Sequence, residues 1–171
     1  EKYSDIEDSS IIGRICDPED IITLVDVKNH HQTQNSKSVE EDSEVILDIV
    51  EFLIKNDINP KKIGIIAPYR AQVALIRRKV DNFILNNQLQ FSTNEMIDTI
   101  DRFQGDERDV IIFSMSLSKN IAGDLLKDER KINVALSRAK KKLIVVGDWD
   151  LANQYKDFKA LYNYVSNNKK A

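Results

Sequence analysis

Short, wholly apolar runs alternate with amphipathic stretches along this chain, and this alternation constrains the fold more than any other feature. The runs IGIIA at 63–67 and LIVV at 143–146 have the length of a strand and no polar face, so they predict strands that are covered on both sides. Between such runs, as at 69–83, apolar residues recur at steps of three and four, which indicates helices with one buried stripe. The pattern predicts a three-layer α/β fold with a parallel sheet between helices.

The same periodicities predict the order of the elements. Strands are expected at 21–27, 63–67, 96–100, 110–115 and 143–146, and helices at 39–55, 69–83, 128–139 and 151–165. Residues 1–20 are polar and acidic, so we interpret them as a linker or edge segment before a single domain at 21–171. Ligands of parallel sheets bind beyond the carboxyl ends of the strands, which directs attention to the loops after Ala67, Ile100 and Gly147.

Composition excludes several classes of protein. The 171 residues suit one domain, and the net charge of −3 excludes a histone-like basic protein. The single cysteine, Cys16, excludes an internal disulfide and any metal site built on several thiolates. His30 and His31 are adjacent in a polar loop and do not suggest a shared metal, so no metal ligand is expected in this chain. No apolar run approaches the ~20 residues that span a membrane.

The chain lacks the usual nucleotide-binding signatures. Neither G-x-x-x-x-G-K-[ST] nor G-x-G-x-x-G occurs, and no serine stands in a G-x-S-x-G elbow. By itself the chain therefore has no means of cradling a triphosphate, and in catalysis it would form one wall of a shared site. Its acidic start without an initiator methionine leads us to expect a segment of a longer protein.

The segment DRFQGDERD at 101–109 is the first candidate site. Gly105 permits a backbone twist that brings N–H groups close to a ligand. Gln104 is suited to orienting water or phosphate, and Glu107 to accepting hydrogen bonds from sugar hydroxyls. The alternative interpretation is a solvated turn between two strands.

The segment INVALSRAK at 132–140 is the second candidate. Arg138 near the end of a packed helix would offer a fixed guanidinium fork to phosphate oxygens. The alternative is the ordinary preference for cations near a helix C-terminus.

The segment APYRAQ at 67–72 is the third, because a helix that opens after a strand can bind an anion. Tyr69 and Arg70 would stack on or grip a nucleic-acid backbone. The alternatives place Tyr69 on the core stripe and Arg70, Arg77 and Arg78 on a solvated face.

Taken together and in order, three segments resemble the late motifs of superfamily 1 (1B) helicases. They are IGIIAPYRAQ, DTIDRFQGDERDVIIFS and GDLLKDERKINVALSRAKKKLIVVGD, and the similarity covers residues 21–150. The resemblance points to the branch of the nonsense-mediated-decay RNA helicase and the replication helicase–nuclease. It implies a second, C-terminal RecA-like motor domain of the P-loop NTPase type without a phosphate loop. ATP with Mg²⁺ would be held mainly by a first motor domain.

The resemblance also implies roles for individual residues. Arg138 corresponds to the arginine that reaches the γ-phosphate, and Glu107 to the acid that contacts the nucleotide sugar. Gln104 and Gly105 correspond to the segment that lines the ATP cleft, with Gln104 as a catalytic group. The positions that correspond to the nucleic-acid path are Thr99, Pro68, Tyr69 and Arg70. Glu44 resembles a glutamate of relatives whose role we do not assign, and the family's tyrosine–arginine motif is absent from residues 1–20.

The implied function is an ATP-driven helicase or translocase acting on single-stranded DNA or RNA, in replication or repair. The partner would be the first motor domain of the same polypeptide, in a monomeric, intracellular protein that is cytoplasmic, or nuclear in a eukaryote. The isolated chain is expected to be inactive. The alternatives are a RecA-like docking module without motor function and, with less support, a nuclease-like α/β domain. A phosphate loop upstream in the parent sequence would discriminate the motor from the module.

Overall fold

A five-stranded, wholly parallel sheet forms the centre of the chain, in the strand order β1-β5-β4-β2-β3. This is seen in a computed structural model that describes residues 14–15, 17, 19–28, 38–103, 105–118 and 124–168. The strands are β1 (Ile22–Asp26), β2 (Ile63–Ala67), β3 (Ile97–Thr99), β4 (Arg108–Ser114) and β5 (Ala139–Gly147). The parallel sheet that the alternating pattern predicts is confirmed.

Helices cover both faces of this sheet. They are α1 (Glu40–Lys55), α2 (Arg70–Asn86), α3 (Glu129–Leu136), α4 (Trp149–Ala152) and α5 (Lys156–Asn168). Short 3₁₀ turns at Pro60–Lys62 and Asp124–Lys127 precede β2 and α3. The architecture is a three-layer, RecA-like α/β fold.

Alternate residues of each strand enter two separate cores, because successive side chains of a strand point to opposite faces. Ile63 and Ile65 pack with α1 and α2 on one face. Ile66 packs with α3, α4 and α5 on the other, where Phe113 and Phe158 lie with their ring centroids 6.0 Å apart. All five residues of β2 are buried, which explains why its sequence shows no polar alternation.

The structure corrects three features of the predicted elements. The helix predicted at 128–139 begins as expected, with Asp128 accepting hydrogen bonds from Arg130 N at 3.2 Å and Lys131 N at 3.4 Å, but it ends at Leu136. Strand β5 begins at Ala139 rather than at Leu143, because the paired backbone extends past the covering helices and leaves Lys140 and Lys141 exposed. The helix predicted at 151–165 is two helices, α4 and α5.

The described part of the N-terminal segment is attached to the domain. Ile15 is buried, and Lys142 Nζ donates hydrogen bonds to the carbonyl oxygens of Arg14 and Asp17. The boundary at residue 20 stays a prediction. Cys16, His30, His31 and Gln104 lie outside the described residues. Among the helices that are described, we find none whose length and apolar character would suit a membrane span.

Candidate functional site

The residues predicted on the nucleic-acid path lie at the side of the sheet where the strands end, which we call the carboxyl edge. Strands β2 and β3 end side by side, with Ala67 paired to Thr99. Pro68 and Thr99 are buried, and Arg70 is exposed at the start of α2. Tyr69, the N-cap residue of α2, is only 6% exposed. This burial favours the core alternative for Tyr69, and its stacking role stays a prediction.

The loop at 100–107 crosses the sheet from the carboxyl end of β3 to the amino end of β4. Its anchor is Phe103, which is buried and has the Arg108 guanidinium 5.4 Å above its ring centroid. The ring fits because Gly64 has no side chain: a Cβ there would lie 2.5 Å from Phe103 Cζ. Gly105 has φ +89°, which confirms the predicted need for glycine at this twist.

Arg138 and Glu107 lie together at the opposite side of the sheet, where the strands begin, which we call the amino edge. Glu107 immediately precedes β4 and Arg138 immediately precedes β5, and Arg108 N donates to Arg138 O at 3.1 Å. The expectation that ligands bind beyond the carboxyl ends of the strands therefore agrees with the positions of Arg70 and Thr99 but not with those of Arg138 and Glu107. Arg138 is also not on a helix as predicted, because α3 ends at Leu136 and Ser137 is its C-cap.

The Arg138 guanidinium is held in place by hydrogen bonds, and the described residues do not neutralise it. Its Nε donates to Val134 O at 3.0 Å, and one terminal nitrogen donates to Ser137 Oγ at 3.5 Å. In the part of the chain that the structure describes, no carboxylate oxygen lies within 4 Å of this guanidinium. The side chain is half-buried. A fixed cation with no ionic partner is suited to an incoming anion.

Ion pairs fix both ends of the loop at 100–107 to its neighbours. Lys131 Nζ lies 2.7 Å from Asp101 Oδ1, which joins α3 to the loop, and this hydrogen bond raises the pKa of Lys131. Glu107 is exposed and lies 3.4 Å from Lys140. A hydrogen bond from Lys141 is the main cause that lowers the pKa of Asp109. The described residues bring no three potential metal ligands together, and we assign no metal ligand.

A buried polar network at the carboxyl end of β4 was missed by the sequence analysis. Asp42 Oδ2 accepts hydrogen bonds from Ser114 Oγ at 3.1 Å and Ser116 N at 3.0 Å. Gln72 donates to Ser114 Oγ at 3.3 Å and exchanges hydrogen bonds with the backbone of Val39. Desolvation raises the pKa of Asp42 to about 8. The position of Asp42 in the sequence could have indicated its burial, because Asp42 precedes Ile46 by four residues and is in phase with the buried stripe of α1.

Glu44, to which the sequence assigned no role, lies one turn along α1 on its half-buried side. Its Oε1 is 3.6 Å from Lys79 Nζ, and Glu40 Oε1 is 2.6 Å from the same nitrogen. This shared cation joins α1 to α2, which is a structural contact between the two helices that cover one face of the sheet.

Comparisons with known proteins agree with this architecture. Residues 4–150 match a family model described as an AAA domain. The chain is 28% identical to human DNA replication ATP-dependent helicase/nuclease DNA2 over 179 residues, which covers 99% of the chain and 16% of that protein. It is 37% identical to helicase sen1 of Schizosaccharomyces pombe over 134 residues (74% and 8%). It is 32% identical to the uncharacterized ATP-dependent helicase MJ0104 of Methanocaldococcus jannaschii over 165 residues (96% and 23%). The chain thus spans less than a quarter of each of these relatives.

Proposed function

This chain belongs to the superfamily 1 helicases, in the branch of DNA2 and Sen1, and we propose that it is the second motor domain of an ATP-driven helicase or translocase. In this proposal ATP binds between this domain and a first motor domain of the same polypeptide. The domain contributes the amino-edge pair, Arg138 and Glu107, to the nucleotide and the carboxyl-edge residues to a single strand. The isolated chain is inactive, because the residues that cradle the triphosphate lie elsewhere.

The observation that carries the proposal is the state of Arg138. Its guanidinium is oriented by Val134 and has no carboxylate within 4 Å among the residues described. When the two motor domains close, this cation meets the γ-phosphate and stabilises the charge that develops there during phosphoryl transfer. An arginine that acts in this way contributes roughly 10³–10⁵ to the rate.

Glu107 and Gly105 support the same nucleotide from the loop at 100–107. Glu107 is exposed at the start of β4, so its carboxylate is available to accept hydrogen bonds from the ribose hydroxyls. Gly105 holds the positive φ that turns the loop at this point. Gln104, which orients water or phosphate in this scheme, immediately precedes Gly105 in the sequence. Mg²⁺, when bound, neutralises phosphate charge and is held by the first domain.

The loop at 100–107 also supports a link between ATP and the strand. One end follows Thr99 at the carboxyl edge and the other carries Glu107 at the amino edge. Phe103 anchors the middle of the loop in the core, and in this proposal the loop is the physical connection between the nucleotide and the strand. Alternate closing and opening of the domains would then move single-stranded DNA or RNA through the protein.

The test is strand-stimulated ATP hydrolysis by the protein that carries this chain, with single-stranded DNA and RNA supplied separately. We expect Arg138→Ala to reduce turnover by about 10³-fold or more, with an unchanged thermal midpoint and retained nucleotide binding. Arg130→Ala is the matched control, because Arg130 is an exposed arginine on α3. Wild-type turnover in Arg138→Ala would overturn the role of Arg138. Absence of ATP turnover in the wild-type protein with either strand would favour the docking module.

A further inference from the structure

A small cleft lies where the first two turns of α2 face the end of β3 and the turn that follows it. Three arginines line it, Arg70, Arg77 and Arg102, together with Asp98 and Thr99, and we refer to it as the arginine cleft. Its volume is about 240 Å³, below the ~300–1,000 Å³ of pockets that enclose small organic molecules. The space therefore suits a compact anion better than a nucleoside.

The charge of the arginine cleft is strongly positive. Three guanidinium groups face one carboxylate, that of Asp98, whose Oδ1 accepts a hydrogen bond from Thr99 N at 2.8 Å. Within the described ranges, no carboxylate oxygen lies within 4 Å of any of the three guanidinium groups. The described residues thus do not neutralise these arginines, and an anion that enters displaces no ion pair among them.

The three arginines come from two parts of the fold, α2 and the turn after β3. Arg77 is half-buried and donates a hydrogen bond to the backbone carbonyl of Ile97. Arg102 is exposed, and its own N–H donates to Thr99 O at 3.2 Å in the turn after β3. Arg70 is exposed at the first position of α2. The spacing of Arg70 and Arg77, seven residues on one helix, puts both on the same face.

The neighbouring cleft makes the assignment selective. It has a volume of about 370 Å³ and shares Asp98 and Arg102 with the arginine cleft. Its remaining charged residues are two carboxylates, Glu95 and Asp106, and one arginine, Arg108. Carboxylates therefore outnumber arginines in the neighbouring cleft. An anion is expected to bind in the arginine cleft instead, although the neighbouring cleft is larger.

We propose that the arginine cleft binds one backbone phosphate of the single strand, through Arg77 and Arg102 in addition to Arg70 and Thr99. This inference rests on the proposed function, because the cleft lies at the carboxyl edge that we assign to the strand. A phosphate contact positions the strand without reading its sequence. The contribution of Arg77 and Arg102 to binding affinity is therefore expected to be the same for strands of any sequence.

The test measures binding of a fluorescein-labelled oligothymidylate to the protein that carries this chain, across a series of salt concentrations. Arg102→Gln is the main variant, because Arg102 is exposed and its side chain makes no ion pair among the described residues. We expect it to raise the Kd about tenfold at low salt and to reduce the slope of log K against log salt by about 0.7, the value for one phosphate on a single strand. Arg78→Gln is the control, since Arg78 is exposed on α2 and does not line the cleft.

A second measurement locates the phosphate. Oligonucleotides with one neutral methylphosphonate linkage at successive positions should show one linkage that weakens wild-type binding and has no further effect in Arg102→Gln. Equal losses in Arg102→Gln and Arg78→Gln would indicate a general field and overturn the cleft, as would a wild-type Kd and slope in Arg102→Gln. In both cases the wild-type protein still binds the strand. Failure of the wild-type protein to bind or to be stimulated by any strand would instead overturn the proposed function.

Discussion

Replacement of Asp42 by asparagine is predicted to change how stability depends on pH. Asp42 is completely buried; one oxygen accepts two hydrogen bonds, and the other has no hydrogen-bond partner among the described residues. Burial penalises the carboxylate, and this desolvation raises the pKa from 3.8 to about 8 in the folded chain. The folded protein therefore keeps the proton over a range of pH in which the unfolded chain has released it.

The sign of the effect follows from proton linkage. Below pH 3.8 both states are protonated, and the stability associated with Asp42 is fully present. As pH rises towards 8 the unfolded state gains by ionising, so stability is lost at up to about 1.4 kcal/mol per pH unit. Between pH 5 and 7 the wild-type chain should lose about 3 kcal/mol through this one group. Asparagine does not titrate, yet its amide oxygen can accept both hydrogen bonds.

The assay is urea unfolding of both chains from pH 5 to pH 8, followed by the fluorescence of Trp149, the single tryptophan, which is buried. We expect the stability of Asp42→Asn relative to wild type to rise by about 3 kcal/mol between pH 5 and 7. Asp57→Asn is the control, because Asp57 is exposed in the turn after α1. Parallel pH profiles for wild type and Asp42→Asn would refute the reasoning, since they would mean that Asp42 titrates alike in both states.

Two further substitutions test the anchoring of the loop and the start of α3. Gly64→Ala places a Cβ 2.5 Å from Phe103 Cζ and 2.8 Å from Ile111 Cδ1, and we expect about 1–3 kcal/mol of destabilisation from overpacking. The double variant with Phe103→Leu should recover part of this loss in thermal unfolding, and a Gly64→Ala midpoint equal to that of wild type would contradict the close packing. Asp128→Ala removes the acceptor for Arg130 N and Lys131 N and should cost about 0.5–2 kcal/mol in urea unfolding, whereas Asp128→Asn retains most of the stability. Equal losses in the two Asp128 variants would show that the cap is not responsible.

The sequence predicted those elements that neighbouring residues specify and missed boundaries that distant residues decide. The strand Ile63–Ala67 was predicted with its observed bounds, because five buried apolar residues before Pro68 leave few alternatives. The end of α3 was not, because Leu136 and Ala139 continue the helical spacing although the chain leaves the helix and pairs with β4. Hydrogen bonds to a strand distant in sequence decide that boundary, and no local pattern records them.

For the candidate site, too, the sequence identified residues from local motifs, whereas their arrangement depends on the fold. Local chemistry identified the residue types: the motif around Arg138 singled out this arginine, and Gly105 was identified as the point of backbone twist. The position of Arg138 beside Glu107 depends on the register that sets Arg108 beside Ala139. The burial of Tyr69 likewise depends on helices and strands that meet only in the folded chain.

By itself, then, the sequence determined the class of fold, most of the elements and the family, because hydrophobic periodicity and motif spacing are local properties of the chain. The tertiary structure alone decided which edge of the sheet each residue occupies, that Asp42 is buried beside Ser114, and that Arg70, Arg77 and Arg102 share one cleft. These features join residues that lie tens of positions apart, and their energies depend on desolvation and charge, which arise only when the chain is packed.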